Sequence, residues 1–180
     1  RQGKRMSRLI NDMLDYTRLE MRPDRYPKQN VDLSALTTSL CDDMALIRQQ
    51  GIQLTADIQP EINIYGNPQL LSRLVTNLIS NAYRYGKENG HILVRLHSND
   101  TGASECRSLS LSVEDDGIGI SKEEQKHIFQ RFYQVDPSRS GAGTGLGLSM
   151  VQQIAEFHNG TVTVKSAPGD GSIFTVLMFL

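Results

Sequence analysis

Asn77–Gly86 reads NLISNAYRYG, and this stretch decides the fold. Together with the upstream residues it predicts one helix from about Pro68 to Tyr85. Asn77 and Asn81 are four apart and share a face, one that also carries Leu74 and Leu78. Two amides there are awkward if merely buried. An amide oxygen is, however, a suitable hard ligand for magnesium, which keeps several waters and takes few protein groups. Three further segments follow in order: DDGIGI at Asp115–Ile120, IFQRFYQVD at Ile128–Asp136, and GTGLGLSMV at Gly143–Val151.

The DDGIGI segment follows an apolar strand in which Leu111 and Val113 alternate. An aspartate at a strand end can accept a hydrogen bond from the exocyclic amine of adenine. Gly117 and Gly119 let the backbone approach a flat ring, with Ile120 just beyond. Asp116 reads as an ordinary Asp-Gly turn residue. Gly143-Thr144-Gly145-Leu146-Gly147-Leu148 precedes an apolar helix. It superficially matches a dinucleotide fingerprint, but lacks the tight strand-turn-helix unit and a downstream ribose carboxylate. It also lacks a Walker lysine. Exposed backbone N–H groups at a helix start still make a phosphate cradle.

The rest of the chain is organised around these segments. Met6, Leu9, Ile10, Met13, Leu14 and Thr17 recur at the spacing of one helical face, so residues 1–22 form an amphipathic helix. The pattern begins mid-helix, as expected of a piece of something longer. Pro23 and Pro27 stop the helix, and residues 23–30 read as a linker. The α/β pattern occupies residues 31–180. Asp32 or Ser34 caps a helix with Leu33, Leu36, Leu40, Met44 and Ile47 inside, closed by Gly51. Ile52–Ile58, a short segment at Ile62–Ile64, Ile92–His97 and Leu109–Asp115 read as strands, the last two flanking the polar loop Asn99–Cys106. A helix at Leu146–His158 then leads to a hairpin of Thr161–Lys165 and Ile173–Phe179 turned at Pro168–Gly171. The expectation is an α+β fold: a two-layer α/β sandwich, its mixed sheet covered on one face by helices, with an added N-terminal helix.

Composition removes several alternatives. Nineteen Lys and Arg against twenty Asp and Glu give a net charge of −1, so no electrostatic case for nucleic acid exists. The apolar runs fall far short of the roughly 20 residues of a membrane span. No signal-peptide pattern is present. Cys41 and Cys106 have neither metal-ligand spacing nor a pairing logic, and read as reduced thiols in a reducing cytoplasm.

The four segments, in this order, resemble the nucleotide-binding domain of sensor histidine kinases, within the ATPase superfamily shared with gyrase, Hsp90 and MutL. The resemblance covers nearly the whole chain and implies a Bergerat-type fold that binds ATP and Mg²⁺. By that resemblance Asn81 coordinates the metal, Arg84 contacts phosphate, Tyr85 lies beside the nucleotide, and Asn77 belongs to the same site. Asp115 contacts adenine, with Gly117, Gly119 and Ile120 around the base, and Thr175 lies near it. Residues 143–148 close a mobile lid running from about Gln134 to Thr144, through Ser138, Ser140, Gly141 and Ala142. Ile128–Tyr133 resembles the family's F box. Phe129 and Phe132 would anchor the lid base in the core, and Phe132 counts among the ATP-site residues. A basic residue often follows this aromatic pair, where this chain has Gln134; Arg131 or Arg139 could supply the charge.

RMSRLINDMLDYTRLE looks like the second helix of the family's dimerisation hairpin. None of His91, His97, His127 and His158 lies where the family keeps its phosphoacceptor. The resemblance therefore implies an ATP-binding catalytic fragment that cannot label itself. Its whole protein would be a homodimer that phosphorylates a histidine and then a response-regulator aspartate, as the cytoplasmic part of an inner-membrane sensor. The alternatives are a stand-alone ATPase of the gyrase, Hsp90 or MutL type, a serine kinase of the anti-sigma-factor kind, and a degenerate, non-enzymatic dimerising scaffold. Asn77 counts against hydrolysis, because such ATPases carry a glutamate base there and an amide has no useful basicity.

Overall fold

Gln2–Met21 forms helix α1, which closes with Arg22 N donating to Arg18 O (2.8 Å) before a single 3-10 turn at Pro23–Arg25. The computed structural model describes residues 2–46, 51–99, 107–135 and 143–180. Ile47, Cys106 and the central lid positions Ser138, Arg139, Ser140, Gly141 and Ala142 lie outside them. Gln29–Asp32 (β1) is already paired, antiparallel to Asn63–Gly66 (β3), as a separate two-stranded ribbon. Pairing therefore begins two residues inside the stretch that reads as linker. Its partner lies more than thirty residues on, so local sequence does not announce it.

Asp32, not Ser34, caps helix α2 (Leu33–Ala45): its Oδ1 accepts from Ala35 N at 2.9 Å. Ser34 instead donates to Gln59 O (2.6 Å) and accepts from Ile62 N (3.0 Å), tying the helix to the loop before β3. The buried stripe of α2 is Leu33, Thr37 and Cys41, while Leu36, Leu40 and Met44 are half-buried. Burial pushes the Cys41 thiol up to about 11, so it is an inert core group.

The main sheet contains Gln53–Ile58 (β2), His91–Ser98 (β4), Ser108–Asp115 (β5), Gly160–Ser166 (β6) and Ser172–Phe179 (β7). Their spatial order is β2-β4-β5-β7-β6. β2 runs parallel to β4 and every other pair is antiparallel, so the sheet is mixed, as expected. Alternation assigns its faces. Ile92, Val94, Leu96, Leu109, Leu111, Val113, Phe174, Val176 and Met178 are buried under the helices. Ser110, Ser112 and Thr175 project to the other, helix-free face, where Arg95 and Glu114 pair across β4 and β5 at 2.6 Å.

Helix α3 (Pro68–Tyr85) is the central covering helix. Pro68 sits in its first turn, and Asn67 caps it by accepting from Leu70 N at 3.0 Å. Leu71, Leu74, Leu78 and Ile79 are essentially sealed from solvent, each worth about 1.5–3 kcal/mol of transfer free energy. Helix α5 (Gly147–Phe157) packs beside α3. His158, at its C-terminus, locks the two together. Its Nε2 accepts from Asn67 N at 3.0 Å, and its Nδ1 faces Ile154 O at 2.8 Å. A short helix α4 (Lys122–Gln125) opens with a capping box between Ser121 and Glu124.

Candidate functional site

The polar face of α3, the C-terminal end of β5 and the first turn of α5 enclose a cleft of about 450 Å³. Asn77, Asn81, Arg84 and Tyr85 line it from α3, and Asp115, Gly119 and Ile120 from the end of β5. Residues 143–148 complete the opposite wall. Segments far apart along the chain therefore meet in one cavity, because β5 delivers its last residue beside the C-terminal turn of α3.

Asp115 is 7% exposed. Burial raises its carboxyl to about 6, against the opposing backbone N–H bonds from Gly117 and Ser172. The Gly117 N–H donates to Asp115 Oδ1 at 2.9 Å, and Ile118 N donates to Tyr85 O at 3.1 Å. A Cβ on Gly117 would strike that Tyr85 carbonyl, so glycine allows the loop to lie against α3. Asp116 accepts from His91 N at 3.0 Å, which makes it a structural turn residue as read. Gln125 Nε2 donates to Ile120 O and Ser166 O, both at 2.8 Å, and fixes the loop against the hairpin of β6 and β7.

At the other end of the cleft, Gly143 lies against the Arg84 guanidinium, where a Cβ would collide. Asn77 Nδ2 reaches Gly147 O at 3.4 Å, and Gln134 Nε2 donates to Gly143 O at 3.0 Å. Among the described residues no side chain caps α5, which leaves its first-turn N–H groups for an anion. The Asn81 amide takes no hydrogen bond among the described residues. There, too, no cluster of three His, Cys, Asp or Glu could hold a metal ion. A magnesium nucleotide fits this donor set: a buried acceptor for a base, an uncommitted amide for the metal, and the start of α5 with Arg84 for phosphates.

Three expected site residues stand elsewhere. Gly117 packs beneath the wall as just described and shapes the cleft without lining it. Thr175 lies on the helix-free face of β7, and the alternating neighbours Ser172 and Phe174 line the cleft instead. Phe132 is 50% exposed with φ 65°, so its ring leaves both core and cleft. Its backbone N–H donates to Gly145 O at 2.9 Å, and that contact places the residue. Phe129 does pack inward, edge-on to Phe174 with centroids 6.5 Å apart. Arg131 points away from the cleft, paired with Glu20 at 2.8 Å and lying 4.3 Å over the Tyr16 ring.

The cleft also contains residues the sequence reading missed. Arg73 extends the Asn77–Asn81 stripe by one turn, a signal that was available. Ser172 could be read from the alternation of β7 once its register was fixed. Asp12, from α1, carried no local signal.

These features define a nucleotide-site α/β sandwich, and the family comparisons agree. The family model for histidine kinase-, DNA gyrase B- and HSP90-like ATPases matches residues 66–180, and the chain belongs to that family. It is 40% identical over 180 residues to the sensor histidine kinase RppB of Synechocystis sp., covering 98% of this chain and 38% of that protein. With the phosphate regulon sensor protein PhoR of Pseudomonas aeruginosa it shares 35% identity over 179 residues, covering 97% of this chain and 39% of that protein. Full-length ShkA, solved in complex with AMPPNP, superposes with a TM-score of 0.83 at 26% identity, over 98% of this chain and 36% of that one. The Acinetobacter baumannii histidine kinase AdeS shares the fold, with a TM-score of 0.75 at 23% identity, over 98% of this chain and 79% of that one. The chain thus spans less than two fifths of the curated relatives RppB and PhoR. Among the described residues, no helix is long and apolar enough to cross a membrane.

Proposed function

We propose that this chain is the ATP-binding catalytic part of a two-component sensor histidine kinase. The observation that carries the reading is the convergence of Asp115, Asn81 and the uncapped start of α5 on one cleft. Asp115 would accept from the adenine amine, in a buried setting where an unmatched base leaves a polar group unpaired. Asn81 would hold magnesium together with the phosphates, and the metal would supply neutralisation of phosphate charge. Arg84 and the amides of residues 143–148 would hold the phosphates, leaving the terminal one in line for an acceptor. Asn77, a neutral amide, offers no base to a water molecule, which favours transfer to a protein over hydrolysis.

The acceptor in this reading is a histidine on the other helix of the hairpin to which α1 belongs, and the phosphoryl then passes to an aspartate of a response regulator. Dimerisation would use the hairpin, and the whole protein would carry this part on the cytoplasmic side of a membrane sensor. The test mixes this chain, labelled ATP and a separate domain bearing the hairpin's first helix. Label on that domain's histidine is the expected result. Rapid multiple-turnover phosphate release without labelling would support an ATPase instead.

A further inference from the structure

Helix α1 reaches the mouth of the nucleotide cleft. Asp12, on its third turn, lines the cleft beside Arg73 and Thr144. Its two carboxylate oxygens are divided between those partners: Oδ1 accepts from Arg73 at 2.7 Å, and Oδ2 from the Thr144 hydroxyl at 3.2 Å. Asp15 takes the other prong of the same guanidinium at 2.6 Å. Both bonds to Arg73 are part-buried. Further along, Glu20 and Tyr16 hold Arg131, so α1 is fastened at two separate places.

A guanidinium fork and a hydroxyl at the start of a glycine-rich, helix-leading segment form an oxyanion site. Here a carboxylate fills it.

We infer that Asp12 is an internal competitor of the nucleotide: it occupies the Arg73–Thr144 pair that the terminal phosphate takes, so phosphate binding and the Asp12 contact exclude one another while the Glu20–Arg131 fastening of α1 persists. This rests on the reading of the cleft as an ATP site and deepens it into regulation of that site. Arg73 becomes a phosphate contact released by displacement of Asp12. A nucleotide then loosens α1 around Asp12, while its Glu20–Arg131 end stays fastened, and the Asp12 contact weakens nucleotide capture. Because the competition is for phosphate alone, adenosine should be indifferent to it.

The test titrates the parent chain and Asp12→Asn with adenosine and with Mg-AMPPNP, and follows hydrogen exchange of the α1 amides in each state. Asp12→Asn is expected to tighten Mg-AMPPNP by about tenfold, the scale of a removed close charge contact, while adenosine affinity stays unchanged. In the parent chain Mg-AMPPNP, but not adenosine, should accelerate exchange in α1. Equal Mg-AMPPNP affinity in the two chains, equal tightening of both ligands, or α1 exchange that ignores Mg-AMPPNP would each overturn the competition. Adenosine binding in those cases would leave the ATP-site reading standing. Failure of both chains to bind either ligand would sink that reading, and the competition with it.

Discussion

Asp115 Oδ1 accepts a hydrogen bond from the Gly117 backbone N–H at 2.9 Å, so the turn that follows β5 holds its own carboxylate at the cleft wall. Burial raises that carboxyl, and the turn's N–H only partly offsets the effect. The acceptor proposed for the base thus gains its proton at about 6.

Adenosine affinity should be full near pH 7.5 and fall as pH drops through about 6, where Asp115 gains its proton. Asp115→Asn should bind at least about tenfold more weakly than the parent at neutral pH, with no such titration. Titration calorimetry across pH 5–8, a window of about 3 units around the usual histidine and raised carboxylate range, checks both. The stability effect has the opposite sign. A carboxyl raised in the folded state favours folding below its unfolded value of 3.8 and loses that contribution as pH rises through about 6.

His158 should make the domain acid-sensitive. Burial chiefly lowers its pKa below the ordinary histidine value of 6.5. The neutral ring can accept from Asn67 N and donate to Ile154 O, whereas protonation would set one N–H against another. Its contribution is present above pH 6.5 and lost as pH falls. His158→Ala should cost about 2 kcal/mol at neutral pH, read from urea unfolding, and flatten the acid limb of the melting profile.

Replacing Asn81 separates metal from base. Asn81→Ala should weaken Mg-AMPPNP by about tenfold or more, since the proposed metal ligand is gone, and leave adenosine binding as it was. Equal loss for both ligands would mean that Asn81 serves the helix and not the metal.

Gly117→Ala should destabilise the domain by about 1–3 kcal/mol and weaken adenosine binding, because the new methyl drives the loop off the Tyr85 carbonyl. An unchanged unfolding midpoint together with unchanged adenosine affinity would show that the loop yields freely.

Much of the fold was legible because its signals are local. The Pro68–Tyr85 helix was marked by its proline start and apolar stripe, and the closing hairpin by the Pro-Gly-Asp-Gly turn. β1 was not legible, since Gln29 and Asn30 carry no strand character of their own and are held by Tyr65 and Gly66. Phe132 misled for a related reason. An aromatic beside Phe129 reads as core, but the backbone bond to Gly145 turns its ring outward. Thr175 failed by one residue of strand register, which exchanges the two faces of a sheet.

By itself the sequence determined the family, most of the regular elements and the side chains proposed for base, metal and phosphate, because side-chain chemistry and period are properties of short segments. Tertiary structure decided which of them share a cavity, and it alone brought Asp12 to Arg73 and Thr144. Contacts between residues 12, 73 and 144 depend on how α1 docks, and no periodicity or local propensity encodes a distance between surfaces so far apart along the chain.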